Sequence, residues 1–325
     1  MFGNVAVIRL LSQRTRKDPM KNKKLLGNIL LLITALIWGT AFSFQRVGME
    51  SVEPITFCAS RMALAAIAVG LIAFWPGKAR KSGASATPAD NSRQYRRNTL
   101  LGGICCGCFL GIASIVQQVG IVTTTAGKAG FITAMYILLV PILGFVLFKR
   151  RNTWLVWFAV LLGVIGMYLL CVTKEFTLAR GDALVCVCAL FFSGHILCCD
   201  YFSRRGNPLR ISAIQFMTAT ALSAAIAALM EKPSLGGILD AWLPILYCGI
   251  VSGGIGYTLQ MVAQKYTEPT AASLLMSMEA VFAVIAGALL LGERMSAKEF
   301  AGCAVMLTAI ILVQLPPRKK GFPEM

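Results

Sequence analysis

Apolar residues run through this chain in blocks of about 20, separated by short segments that hold most of its Lys and Arg. At ~1.5 Å per residue, a helix of that length crosses the ~30 Å hydrocarbon core of a bilayer. The blocks predict ten transmembrane helices, at 28–47, 55–75, 99–120, 128–148, 153–172, 182–202, 211–230, 241–261, 270–291 and 297–315. One polar stretch, Gly77 to Asn98, is rich in Ser, Ala and basic residues and has no apolar period. It reads as a flexible cytoplasmic linker without chemistry of its own.

The second half weakly repeats the first. Moving residues 100–170 forward by 143 positions sets Leu100 on Leu243, Cys105 on Cys248, Gly111 on Gly254, Gln117 on Gln260, Met135 on Met278 and Arg151 on Arg294 without a gap. The opening helices correspond at a larger offset, Trp38-Gly39 with Ser193-Gly194 and Pro54 with Pro208. The division is therefore a first five-helix repeat at 20–174 and a second at 175–316, with a basic extension at 1–19 and a basic tail at 317–325. Met20 directly precedes a basic run and the first span, so it reads as an alternative start that makes 1–19 dispensable. An odd number of spans per repeat inverts the second half in the membrane. The expected fold class is an all-α integral membrane protein of two inverted five-helix repeats, an arrangement that gives secondary transporters alternating access.

Composition agrees with the pattern. The chain is 57% hydrophobic and 14% charged, with a mean hydropathy of +0.72, too little charge to cover a water-soluble surface. A net charge of +17 invites nucleic acid as a partner, but its distribution argues for lipid. On the ten-span topology, 23 of the 31 Lys and Arg fall on one side and seven on the other, with Arg61 inside a span. That asymmetry places both termini in the cytoplasm and sets basic charge against anionic lipid. The 11 Cys lie in spans or at their ends, where free Cys behaves as a small hydrophobe. The Cys186-x-Cys188 and Cys198-Cys199 pairs near His195 have the residue types of a metal site. However, neighbouring helical positions point ~100° apart and no acidic shell accompanies them, so no metal is expected. Gly103, Gly107 and Gly111, and again Gly249 and Gly253, recur every four positions. They form smooth stripes for close helix contact, either static packing or sliding surfaces.

Several short motifs, in order, resemble the EamA branch of the drug/metabolite transporter superfamily. Leu36-Ile-Trp38-Gly39-Thr40-Ala41-Phe42 resembles its first helix, and Pro54-Ile-Thr-Phe57 followed by Arg61 its second. Thr123 to Ala129 with Pro141 resembles its fourth. Tyr266-Thr267-Glu268-Pro269, Glu279 and Leu291-Gly292-Glu293-Arg294 resemble its ninth and the turn after it. The resemblance implies ten helices in inverted repeats and a metabolite substrate. Where the family often has Pro after the ninth-helix glutamate, this chain has Ala280, which leaves a helix break there open.

Intramembrane charge is costly, so each such residue is a functional candidate. Glu279 lies about ten residues into its span, ~15 Å deep, where it can exchange a proton, hold a substrate amine or pair with a neighbouring helix. Arg61 can bind a substrate carboxylate, pair with Glu279 or snorkel outward. Lys128 reads as an interfacial anchor. Gln117 and Gln260 occupy equivalent repeat positions, suited to a shared place near the central axis. Trp38, Tyr136 and Tyr257 are candidate cavity walls, with Tyr136 the counterpart of Glu279. His195, the sole histidine, is a proton relay or a structural hydrogen-bonder. The chain has no phosphate-binding loop of the ATPase kind, and no cofactor is expected. The function expected is a plasma-membrane secondary transporter, an exporter of small polar metabolites such as amino acids, with protons as a candidate coupling ion. The rivals are a membrane enzyme acting on lipid, which needs a cluster of catalytic groups this sequence lacks, and a non-transporting receptor or scaffold. Substrate and oligomeric state are not fixed by the sequence.

Overall fold

The computed structural model describes residues 19–75, 92–124, 126–171, 180–282, 285 and 296–315. The chain opens with α1 (Pro19–Gly48), α2 (Pro54–Ala73) and α3 (Arg93–Thr123), then α4 (Ala126–Thr133), α5 (Tyr136–Phe148) and α6 (Trp154–Cys171). There follow α7 (Arg180–Ser203) and α8 (Pro208–Met230). Two short helices, α9 (Leu235–Asp240) and α10 (Trp242–Leu246), lead into a π-helical α11 (Tyr247–Tyr257) and α12 (Thr258–Ala263). The described part ends with α13 (Pro269–Met276) and α14 (Ala297–Gln314). No strand occurs among the described residues.

Eight stretches are long and apolar enough to cross a membrane: Asn22–Gly48, Pro54–Ala73, Arg93–Thr123, Ala129–Phe148, Arg180–Ser203, Pro208–Met230, Trp242–Ala263 and Ala297–Gln314. Trp154–Leu169 is apolar but shorter. The span expected at 270–291 is described only to 282 and at 285. The segment before Pro19, most of the linker, the junction between the halves and the tail lie outside the described residues.

Local chemistry sets the helix starts. Pro54, Pro208 and Pro269 stand at the first helical turn, where a missing N–H leaves no carbonyl unpaired. Ser92 accepts a hydrogen bond from the Tyr95 N–H at 3.1 Å and caps α3. Residues 93–98, expected to belong to the linker, are therefore the first turns of a helix. At the start of α2, Glu231 accepts from the Ile55 N–H at 2.8 Å, the Thr56 N–H at 2.7 Å and the Thr56 hydroxyl at 2.8 Å. That carboxylate satisfies the orphan donors of the α2 N-terminus from the end of α8.

Two helices are interrupted. α4 stops and α5 begins across Ala134–Met135, with tight bonds from Met135 N–H to Ile132 O (3.1 Å) and Ile137 N–H to Ala134 O (3.0 Å). α13 is broken the same way across Ser277–Met278, with Met278 N–H to Leu275 O (3.3 Å) and Ala280 N–H to Ser277 O (3.2 Å). A break thus stands before Glu279 although residue 280 is Ala rather than Pro. A single tight turn within a helix costs little when both flanking segments stay packed.

The outer surface is strongly apolar, and the interior sets a group of polar side chains within an apolar core. Ile67, Leu71, Leu147, Trp154, Leu229 and Ile311 are exposed, while Gln118, Gln215, His195 and Asp200 are buried. α3 packs on α7 and α8, α2 on α8 and α11, α1 on α11 and α12, and α6 on α14. The glycine stripes lie in these seams: Gly103, Gly107 and Gly111 face Ile214, Thr218 and Leu222 of α8, and Gly249 and Gly253 face Leu64 and Ala65 of α2. Without side chains there, neighbouring backbones approach closely.

Candidate functional site

All eight residues singled out from the sequence line one cavity between the helices. Its wall carries Trp38, Arg61, Gln117, Tyr136, His195, Tyr257, Gln260 and Glu279. It encloses about 490 Å³ of empty space counted to its mouth, and the part open to the centre of a water molecule is about 40 Å³. At ~10–15 Å³ per water, that is room for about three waters, so a metabolite needs the helices to part further.

The two helix breaks build the centre of this site. Tyr136 follows the first break and Glu279 the second, and the Tyr136 hydroxyl donates to Glu279 Oε1 at 3.2 Å. These partners are 143 residues apart. Gln117 Nε2 donates to the Thr133 hydroxyl at 3.0 Å, tying α3 to the end of α4. On the opposite wall, Trp38 Nε1 donates to the Ser252 carbonyl at 3.1 Å and Thr34 Oγ1 donates to the Gly256 carbonyl at 3.2 Å. Both carbonyls belong to the π-helical α11, and each accepts a bond from a side chain of α1. Trp38 also packs on Tyr257, ring centroids 4.6 Å apart, and His195 meets the same ring edge-on at 5.7 Å.

Arg61 does not snorkel. It is buried, lines the cavity and stands 6.0 Å from the Phe57 ring centroid. No ion pair joins it to Glu279 or to another carboxylate among the described residues. Its Nε, Gln45 Oε1 and Gln260 Oε1 have no protein partner. Leaving such groups unsatisfied costs ~1–3 kcal/mol each, so their hydrogen bonds are available to whatever fills the cavity. The side chain of Lys128 lies outside the described residues.

The sequence reading missed Phe42, Gln45, Thr133, Phe192 and Ser252 as wall residues. A signal existed for two of them: Trp38, Ala41, Phe42 and Gln45 fall at i, i+3, i+4 and i+7 and share one helix face. It also missed Asp200, buried on α7 about 7 Å beyond His195. Arg150 reaches Asp200 at 2.7 Å and Arg204 at 3.0 Å. The chain turns to aim Arg150 there because Lys149 adopts φ 54° at the α5 C-terminus and the Arg150 N–H bonds back to the Gly144 carbonyl at 3.2 Å. Finally, Cys106 of α3 joins His195 and Cys199 of α7 in a buried group whose ligand atoms lie within 4.8 Å of one another. Sequence spacing held no sign of this, because Cys106 arrives from a separate helix.

Apolar helix surfaces around a cavity lined by polar and aromatic side chains define a multi-pass membrane protein with a site for a small molecule. The sequence pattern of the EamA-like transporter family matches residues 25–172 and matches again at 179–315. The chain belongs to that family. It is 28% identical over 301 residues to an uncharacterized transporter of Archaeoglobus fulgidus, covering 90% of this chain and 87% of that one. It is also 26% identical over 314 residues to the uncharacterized transporter YwfM of Bacillus subtilis, covering 92% and 98%. A crystal structure of a protein shares the fold with a TM-score of 0.68 at 18% identity, covering 89% of this chain and 96% of the other. The family and both relatives carry the name of transporters.

Proposed function

We propose that the chain is a plasma-membrane exporter of small zwitterionic metabolites, amino acids above all, working by alternating access. The observation that carries this is the presence of both an arginine and a carboxylate on the wall of one cavity. Arg61 and Glu279 both face it and are not spent on each other. An Arg fork suits a substrate carboxylate and a carboxylate suits an ammonium, while Trp38, Tyr257 and Phe192 offer a side-chain wall. A proton taken up by Glu279 when the substrate leaves would couple transport to the pH gradient. Export is carried over from the family resemblance.

The moving parts in this reading are two inverted five-helix repeats, both termini cytoplasmic. Three observations support it. The helix breaks fall at positions 143 residues apart. Exchanging the halves turns the α3–α7 contact into the α11–α1 contact, and the α3–α8 seam into the α11–α2 seam. The family pattern also matches twice within the chain.

The test is amino-acid flux in proteoliposomes with and without an imposed pH gradient, for wild type, Glu279→Gln and Arg61→Gln. Gradient-driven flux in wild type, lost in Glu279→Gln while the protein stays folded, is the expected result. Equal flux in wild type and Glu279→Gln would reduce Glu279 to a packing residue.

A further inference from the structure

The geometry points to a soft-metal site of two cysteines and one histidine where α3 crosses α7, beside the transport cavity and independent of the substrate it takes. His195 and Cys199 are four residues apart on α7 and therefore share a face. Cys106 of α3 completes the group. α3 comes this near because Gly102 lacks a side chain: a Cβ there would stand 2.7 Å from Phe202 Cβ of α7. All three residues are buried.

The distances fit a metal. Cys106 Sγ lies 3.9 Å from Cys199 Sγ, and Cys199 Sγ lies 3.4 Å from His195 Nε2 and 3.9 Å from Nδ1. Metal–sulfur bonds of ~2.3 Å and metal–nitrogen bonds of ~2.0–2.1 Å in a tetrahedron require S···S of about 3.8 Å and S···N of about 3.6 Å. The Cys106–Cys199 and Cys199–His195 edges lie within a few tenths of an ångström of these lengths, and the Cys106–His195 edge is at most 4.8 Å. In the metal-free chain the His195 ring is not yet aimed at an ion between the sulfurs, since Cys199 Sγ stands nearer Nε2 than Nδ1. The ring Nε2 lies 3.1 Å from Gln215 Oε1 of α8. A proton on Nε2 donated to that oxygen leaves the Nδ1 lone pair for the ion, and the ring must turn to bring Nδ1 to the Cys199 side when the ion binds.

The donor set identifies the ion's class. Two thiolates and an imidazole select a thiophilic d10 ion, Zn(II) or Cu(I), over Mg(II) or Ca(II), which take oxygen ligands. As the two metal–sulfur bonds form, the two thiol protons leave. With Zn(II) the resulting complex is neutral, which suits a site between membrane helices. His195 belongs to both the cluster and the cavity wall, so the cavity gives the ion its entry path.

The experiment titrates the reduced, metal-free full chain in detergent with Zn(II) and, separately, with Cu(I) held by a competing chelator, reading stoichiometry and affinity. One equivalent of either ion is expected, and the two arms tell which is preferred. Cys106→Ser and Cys199→Ser should each weaken binding at least ~100-fold, and Gln215→Leu, which removes the hydrogen-bond partner of His195 and no ligand, about 10–100-fold. Cys186→Ser, an exposed cysteine outside the cluster, should leave it unchanged. Thermal unfolding of each metal-free variant verifies that it is folded, and Cys106→Ala serves if the serine variant is not. Absence of saturable binding of both ions in wild type, or binding that survives the loss of Cys106, would overturn the proposal.

Discussion

Replacing Gly107 by Ala tests how tightly the α3–α8 seam is closed. A methyl group at 107 would stand 2.7 Å from the Gln215 carbonyl oxygen and 3.0 Å from Gln215 Cα, both backbone atoms that cannot rotate aside. Comfortable contact is about 3.5 Å, so the helices must part by roughly 0.5–1 Å, and a gap of that size forfeits a quarter to a half of each dispersion contact along it. Overpacking of this kind costs ~1–3 kcal/mol, against which the better helix propensity of Ala returns at most ~1 kcal/mol. A net loss of about 1–2 kcal/mol is expected. Two sister variants calibrate it. At Gly111 the nearest atom is Leu222 Cδ2 at 3.0 Å, a side-chain end that can turn away, so Gly111→Ala should stay within about 1 kcal/mol of wild type. At Gly70 the added carbon meets only Met217 Cε at 3.5 Å, so Gly70→Ala should gain up to ~1 kcal/mol. Denaturant unfolding of the purified chain in detergent, followed by tryptophan fluorescence, orders the three. A Gly107→Ala variant as stable as wild type, or less damaged than Gly111→Ala, would refute the reasoning.

Other expectations follow from single contacts. Lys149→Gly should raise the unfolding midpoint, gaining about 1 kcal/mol, because the residue sits in the left-handed region that penalises a Cβ; a lower midpoint would show that the lysine side chain is needed. Glu231→Ala removes the carboxylate that accepts three hydrogen bonds at the start of α2 and should cost about 1.5–3 kcal/mol in the same unfolding assay. Asp200→Asn loosens the junction of α5 with α7 held by Arg150 and Arg204. Since both arginines are partly exposed, the loss should be no more than about 1 kcal/mol, seen as several-fold faster maleimide labelling of Cys198. An unchanged labelling rate would show that the ion pairs do not hold that junction.

Eight of the expected spans were legible because an apolar run of bilayer length has few other uses, and the cavity residues because polar side chains in such runs are expensive. The helix breaks were not. Ala134–Met135 and Ser277–Met278 contain neither Gly nor Pro, so nothing in the local propensities announces them, and Pro141 lies well past the first. The π-helical course of α11 was equally silent, since Gly249, Gly253 and Gly254 read as a packing stripe in either helix type. Arg61 was legible as a charge in a span but not in its direction, because a long side chain reaches inward or outward from the same Cα. Cys106 was invisible as part of a group: only helix packing brings it to His195 and Cys199.

The hydrogen bond from Tyr136 to Glu279 joins a residue to its own counterpart in the other half of the chain. Two separate identical subunits meeting in the same way would carry the same residue twice at that point. Two glutamates there would repel, and two tyrosines would supply no charge. Holding both halves on one polypeptide removes that restriction, so the middle of the cavity can contain a single acid with a neutral hydroxyl as its neighbour. Exchanging the two identities, Tyr136→Glu with Glu279→Tyr, would keep that composition while moving the acid to the other half, something no symmetric assembly of two chains could be made to do.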